Sequence, residues 1–491
     1  MTELKTKISV WLKDWHNRVF LFIFCIALAV RVYYLSVNTA VWWDEADYLS
    51  SALHWFFNVP YNYNPQRGVF FPLLLGILFK FGFTENSVKF FAVVLPSSGV
   101  VFLTYLLGKQ MYNKNVGLIS AAFMSVFWTS LFWTARFSND FLALFFQLLA
   151  LYCFWRGVVK EHSKIFIFLF GFFLGLGFIT RAQSILITFS LLLFLLITQH
   201  FSFLKNKHLW ASVLFFFIPF IPYVFWLKKY FGSFFAFSTG YSSQISSAAP
   251  FGWSIVKYFY LFPAPFIFIL FLLGLTTLAD IFFGLDFIFK KKQSQETNSD
   301  LFWVMNTLLV VGFFIFWLRG AEDRWLVLVA VPVFFFAAKG CMLLYDYTKK
   351  VHGHAAILLV VFLVMIGMYF QFHAAKTLIE EKNTSYQQVK DAALWIKANS
   401  QTIDTVYSAS GPQTSYYSER NVLGFPTTEE AFLSEIQRSK PRYMVVSMFE
   451  RHSEWVYTFY NKHTELLTPV NGWFADEAKT QPLLIIFSFK E

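Results

Sequence analysis

Apolar residues along this chain gather into runs of about 17 to 25, the length that carries an α-helix across the hydrocarbon core of a bilayer. Such runs lie near residues 19–37, 86–107, 116–135, 141–157, 165–180, 183–199, 209–227, 258–289, 301–318, 325–345 and 355–372. They predict about eleven spans. Pro263 and Pro265 interrupt the run 258–289. The stretch 69–83 is too short to span and suits an interfacial or re-entrant helix. Beyond about Asn383 the pattern changes. Tyr386–Asn399 has helical spacing through Val389, Ala393 and Ile396, whereas Thr405–Ser408, Tyr443–Met448 and Leu483–Phe489 are rich in β-branched and aromatic residues. The expected fold is an α-helical polytopic membrane module over 1–375, followed by a small soluble α/β domain over 376–491. That domain shows no Gly-rich phosphate loop and no nucleophile motif.

Composition agrees with lipid as the solvent. The chain is 57% hydrophobic and 14% charged, against roughly 25% charged for soluble domains. A formal charge of +11 would suggest nucleic acid in a soluble protein; here it reads as the cytoplasmic excess of Lys and Arg. With the N-terminus cytoplasmic, alternate loops hold Lys109 and Lys114; Arg156, Lys160 and Lys164; Lys205 and Lys207; Lys290, Lys291 and Lys292; Lys349 and Lys350. Lys5, Lys7, Lys13 and Arg18 complete the pattern. An odd span count then puts the C-terminal domain on the outer face. No small-residue cleavage site follows the first run, which predicts a retained helix. Cys25, Cys153 and Cys341 all lie in apolar runs without metal-ligand spacing, which argues against disulfides or zinc.

Charges on the other side need explaining. The first outer loop, 38–68, contains Trp42-Trp43-Asp44-Glu45-Ala46-Asp47-Tyr48, and Glu45–Phe57 has the amphipathic pattern of a helix lying in the interface. Arg31, Arg67, Arg136, Asp140, Arg181, Glu322, Asp323 and Arg324 fall at the same outer level. Charge at membrane depth costs about 2.5–3.5 kcal/mol per residue on insertion scales, so it is usually paired or functional. Guanidinium groups bind phosphate bidentately, so five arginines on one face suit a phosphorylated lipid. Plainer readings exist for each group. Asp44 and Glu45 could be solvated loop charges, Arg181 could snorkel to the interface, and Arg136 with Asp140 could be a structural ion pair. Arg324 could merely stop a helix, and Tyr416 and Tyr417 read as core.

The same residues carry a resemblance. Arg31-Val32-Tyr33-Tyr34-Leu35 followed by Trp43-Asp44-Glu45-Ala46-Asp47-Tyr48 resembles the opening of the GT-C glycosyltransferases. It is most similar to the family 39-like branch containing the dolichyl-phosphate-mannose–protein mannosyltransferases and the lipid A aminoarabinose transferases. The resemblance extends through Pro72-Leu73-Leu74-Leu75, Ala135-Arg136-Phe137-Ser138-Asn139-Asp140, Gly175-Leu176-Gly177 with Arg181, and Arg324-Trp325 with Pro332, covering roughly 20–350. Two positions depart from it. Asn64-Pro65-Gln66-Arg67-Gly68 stands where many relatives have a His-Pro-Pro-Leu-like run, and Arg181 stands where relatives commonly carry Lys.

The resemblance implies a polyprenyl-phosphate-linked monosaccharide donor, used on the extracytoplasmic face with inversion at the anomeric carbon. Such a transfer needs a carboxylate to take the acceptor hydroxyl's proton. Asp44 is the candidate base, with Glu45 orienting it or binding acceptor and Tyr48 supporting. The leaving phosphate wants fixed cations: Arg181 first, then Arg136, Arg67, Arg324 and Arg31. Asp140 could hold Arg136, or join Asp44 at a divalent metal, although no cofactor is required by the family. The acceptor, whether protein, lipid or glycan, is not legible. Two other readings compete: a transporter or flippase of a lipid-linked substrate, which should show an inverted repeat and midplane polar residues, and a non-catalytic membrane scaffold. The transferase reading requires the acidic pair and the guanidinium groups to line one pocket at the lipid–water boundary.

Overall fold

The structure is a computed structural model, and it describes residues 11–238, 262–278, 294–320 and 322–490. Lys5, Lys7 and Lys290–Lys292, used above for orientation, and most of the run 258–289 lie outside the described residues. Each apolar run carries helix among the described residues. Eight helices are long and apolar enough to cross a membrane: Trp15–Tyr33, Glu85–Met111, Asp140–Lys160, Ala182–Lys205, Lys207–Phe231, Gln295–Leu318, Asp323–Lys349 and Gly353–Lys382. Lys114–Ser125 and Trp128–Thr134 form a further pair, bent by 48°. Lys164–Thr180, Pro265–Leu278 and Phe70–Lys80 are shorter apolar helices.

The chain divides into two compact units. The first comprises Met1–Leu35, Pro65–Phe70 and Lys89–Glu380. Its centre is the helix Asp323–Lys349, whose apolar window is 89% buried, against 11% for Lys207–Phe231 at the periphery. Helices in lipid approach closely where small residues face one another. Thus Lys164–Thr180 packs on Lys207–Phe231 through Gly171, where a Cβ would collide with the Ser212 carbonyl.

The bent pair corrects the single span expected over 116–135. Neither Pro nor Gly marks the break at Val126-Phe127; side chains from other helices satisfy the backbone groups it frees. Gln371 Oε1 accepts from Trp128 N at 3.1 Å. Arg31 donates to the carbonyls of Ser125 at 2.7 Å and Met124 at 3.5 Å, the last turn of the broken helix. Its other donors reach Ala27 O, Ser97 Oγ and Ser130 Oγ at 2.8–3.0 Å. A guanidinium so placed caps a helix C-terminus inside the bundle.

The second unit comprises Ser36–Asn64, Phe71–Val88 and Glu381–Glu491. Its five-stranded sheet has the order β2-β1-β3-β5-β4, with β1 Thr405–Ser408, β2 Asn421–Leu423, β3 Tyr443–Ser447, β4 Leu467–Phe474 and β5 Pro482–Phe489. β1 runs parallel to both β2 and β3, and β5 is antiparallel to β3 and β4. Alternation along the strands sends Val406, Val445 and Ile486 to one face, under the helix Gln387–Ala398. Tyr407, Met444 and Phe487 go to the other, under Glu429–Ser439 and Glu454–Lys462. This is the α/β domain the sequence predicts. The first outer loop joins the same unit.

Candidate active site

In the first unit the helix Lys164–Thr180 stops at Arg181, whose backbone is extended, and a tight turn, Ala182–Ile185, follows. The Arg181 guanidinium meets the Asp140 carboxylate directly and donates through Nε to Gln183 Oε1 at 2.9 Å. Asp140 opens the helix Asp140–Phe154, where a carboxylate complements the dipole. Ser138 Oγ donates to it at 2.6 Å, and Asn139 Nδ2 ties the turn to Thr180 O at 2.9 Å. Asp140, expected to hold Arg136, therefore holds Arg181 instead. Arg136 is buried with its guanidinium 5.3 Å from the Phe132 ring centre.

Arg324 lies on the other side of the same carboxylate, 4.0 Å from it. Its guanidinium sits 4.5 Å from the Trp133 ring centre and bonds Glu322 at 2.5 Å. Trp133 Nε1 in turn donates to Asp323 Oδ2 at 2.9 Å. A cavity of about 30 Å³ is bordered by Asp140, Gln147, Arg181, Gln183, Arg324 and Trp325. The segment Pro65–Phe70 lies against the end of Lys164–Thr180: a Cβ on Gly68 would overlap the Thr180 carbonyl. Glycine is required here, which places its half-buried neighbour Arg67 beside the turn that carries Arg181. A far larger cavity, about 310 Å³, is lined by apolar side chains such as Phe154, Leu174, Leu191 and Phe216 and has no ionisable group. Charge chemistry belongs to the smaller one.

One buried cation escaped the sequence reading. Lys89 is 6% exposed, donates to Leu35 O at 2.8 Å and Ala135 O at 2.9 Å, and faces the Phe137 ring at 5.2 Å. It looks like an ordinary charge flanking a span. The available signal was its place on the side where positive residues should be scarce.

In the second unit the acidic motif starts the helix Trp43–Phe57, with Asp44 and Glu45 in its first turn. Glu45 is buried and accepts from Trp42 N at 3.1 Å, a helix-capping bond. Asp44 is half-buried. Asp47 accepts from Tyr61 OH at 2.7 Å, and Tyr48 packs edge-on to Phe71. The helix is held by the C-terminal segment. Tyr417 OH accepts from Val41 N at 2.9 Å, Ser50 Oγ donates to Pro412 O at 3.4 Å, and Ser415 Oγ donates to Pro60 O at 3.3 Å. Tyr416 OH donates to Glu85 Oε2 at 3.1 Å. Burial pushes both phenols up, and the neighbouring Glu85 adds to the rise. They are packing groups between loop and domain. Among the described residues no group of three or more His, Cys, Asp or Glu side chains is placed to hold a metal.

Residues 66–226 match the dolichyl-phosphate-mannose-protein mannosyltransferase family. No curated protein sequence matches the chain. Its fold is similar to that of ArnT from Cupriavidus metallidurans bound to undecaprenyl phosphate, at a TM-score of 0.67 and 13% identity, over 95% of this chain and 97% of that one. It is also similar to the oligosaccharyltransferase AglB from Archaeoglobus fulgidus with an inhibitory peptide and a dolichol-phosphate, at 0.60 and 12%, over 98% and 74%. The Archaeoglobus fulgidus oligosaccharyltransferase in complex with Zn and sulfate gives 0.57 and 14%, over 96% and 72%.

Proposed function

We propose that this chain, a GT-C superfamily protein of the protein-mannosyltransferase and ArnT type, transfers a monosaccharide from a polyprenyl-phosphate donor to an acceptor hydroxyl, with inversion, on the extracytoplasmic face. One observation carries the reading: two guanidinium groups, Arg181 and Arg324, address the single buried carboxylate of Asp140 at the edge of a cavity. Ten guanidinium N–H donors outnumber what one carboxylate can accept, and a phosphate monoester is the anion that such an excess stabilises.

The acceptor oxygen attacks the anomeric carbon as its bond to the phosphate oxygen breaks. Asp44 takes the acceptor's proton, and the departing polyprenyl phosphate carries its negative charge to Arg181 and Arg324, with Arg136 and Arg67 adding positive potential. Glu45 keeps the acidic helix capped, which aims Asp44. Arg31 we assign to the helix break rather than to the donor, because its donors are engaged by neutral oxygens of the bundle. A divalent ion at Asp44 and Asp140 is a secondary form of the proposal, since zinc accompanies one related fold. Chelation would abolish transfer under that form and leave it unchanged under the main one. The proposed orientation has a cytoplasmic N-terminus and an extracytoplasmic C-terminal domain.

Incubating the purified protein with radiolabelled polyprenyl-phosphate sugars tests the reading. Label should move to an acceptor in the wild type and stay with the lipid in Asp44→Asn. Full transfer by that variant would remove Asp44 as the base.

A further inference from the structure

The α/β part of the second unit contains a feature that the transfer chemistry does not use. β1 and β3 are adjacent and parallel. From β1 the chain passes through Ala409-Ser410 into the helix Gly411–Ser418, which packs beside Gln387–Ala398 on one face. From β3 it passes through Met448–Ser453 into Glu454–Lys462 on the other face. Connections that leave two neighbouring parallel strands toward opposite faces open a crevice at their carboxyl ends, the place where open α/β sheets bind ligands.

The side chains at this crevice point to an occupant. Gln413 is 0% exposed, and neither its amide nitrogen nor its amide oxygen makes a hydrogen bond of normal geometry. The Ser410 hydroxyl, at the N-cap of the same helix, is buried and equally unmatched. On the exit loop of β3, one oxygen of Glu450 is buried without a partner. Burial raises the Glu450 carboxyl above its usual range, while the neighbouring Tyr386 and Gln413 pull it down, which fixes these three groups side by side. Buried polar groups in native folds are matched as a rule, so a cluster of orphans calls for a missing partner.

The chemistry of the set narrows that partner. An amide and a hydroxyl both donate and accept, and a carboxylate accepts. Together they suit neutral hydroxyl groups, whereas Glu450 repels an anion. The rings of Tyr386 and Phe449, 5.7 Å apart, add an apolar wall of the kind the C–H face of a sugar covers.

We propose that the crevice of Ser410, Gln413, Glu450 and Tyr386 binds a neutral sugar, and that this sugar belongs to the acceptor. The second half rests on the transferase reading; the first does not. The position favours an acceptor role, because Pro412 O accepts from Ser50, six residues and about 9 Å along its helix from Asp44 at 1.5 Å per residue.

The test is saturation-transfer difference NMR on the full-length protein in a sugar-free detergent. Free mannose, glucose, galactose and N-acetylglucosamine serve as probes at millimolar concentration. At least one should give a signal, with affinity about tenfold weaker in Gln413→Leu and in Glu450→Gln, as expected for losing a hydrogen bond in each. Gln413→Leu should melt no lower than the wild type, since it replaces an unmatched amide with an apolar side chain of similar shape. No binding by any of the four sugars, or equal binding by the wild type and both folded variants, overturns the proposal. A lower melting temperature in Gln413→Leu overturns the claim that its amide lacks a partner. Asp44→Asn should still bind the sugar while failing to transfer. Wild-type protein that binds sugar but moves none from any polyprenyl-phosphate donor would sink the transferase reading and leave the sugar site standing.

Discussion

Two buried charge clusters in the helical unit are built from similar groups and close differently. In one, the Lys339 ammonium lies 2.6 Å from Asp300 and 3.0 Å from Glu296, and Tyr112 OH donates to Asp300 at 2.8 Å. One cation faces two carboxylates, and the Lys339 and Asp300 side chains are both 5% exposed. In the other, the Asp140 carboxylate faces Arg181 and Arg324, whose side chains are 17% and 15% exposed and border a cavity. The first cluster answers its own charge and ties helices together. The second keeps positive charge at an opening, where a second anion can be received. Charge at depth is therefore a poor guide to function until the balance of signs and the access to it are known.

Perturbing each cluster should separate the two roles. The largest effect belongs to the acidic helix: Asp44→Asn should lower the transfer rate about 10²–10⁴-fold, the usual worth of a general base, with an unchanged melting profile. Lys339→Met comes next. It strands Asp300 in the bundle and should cost about 3–5 kcal/mol of stability, seen as a lower melting temperature, and adding Asp300→Leu should restore most of it. Folded Lys339→Met protein should keep its specific activity; a selective loss of turnover there would erase the distinction between the clusters. Arg181→Ala should reduce kcat about 10²–10³-fold with little change in thermal stability. An equal loss of both would make Arg181 structural, like Lys339. The smallest effect is expected for Glu45→Gln, about 1 kcal/mol from a weakened helix cap with transfer reduced only a few-fold.

Local patterns in the sequence were enough for the spans and for the α/β tail, because run length and strand alternation are properties of neighbouring residues. The strands Thr405–Ser408 and Tyr443–Ser447 lie where β-branched and aromatic residues cluster. Partner choice was not legible. Asp140 and Arg136 sit four apart, so proximity favoured that pair, yet the ion pair forms with Arg181, 41 residues away. The break at Val126-Phe127 left no Pro or Gly to announce it, since Gln371 and Arg31 supply what the backbone lacks. Arg31 accordingly looked like a ligand-binding cation when its work is to cap that helix. Lys89 was hidden by its place at the end of an apolar run, and only the folded chain shows it buried.

The hydrogen bond between Val41 and Tyr417 joins residues 376 positions apart. At ordinary synthesis speeds of about 5–20 residues per second, Val41 leaves the ribosome roughly 20–75 s before Tyr417 exists. Throughout that interval the helix carrying Asp44 and Glu45 has none of the C-terminal contacts that hold it in the mature protein. Chains halted before Gly411–Ser418 are expected to insert their spans and still lack activity. The last hundred residues thus act as a timer, withholding competence until translation is complete.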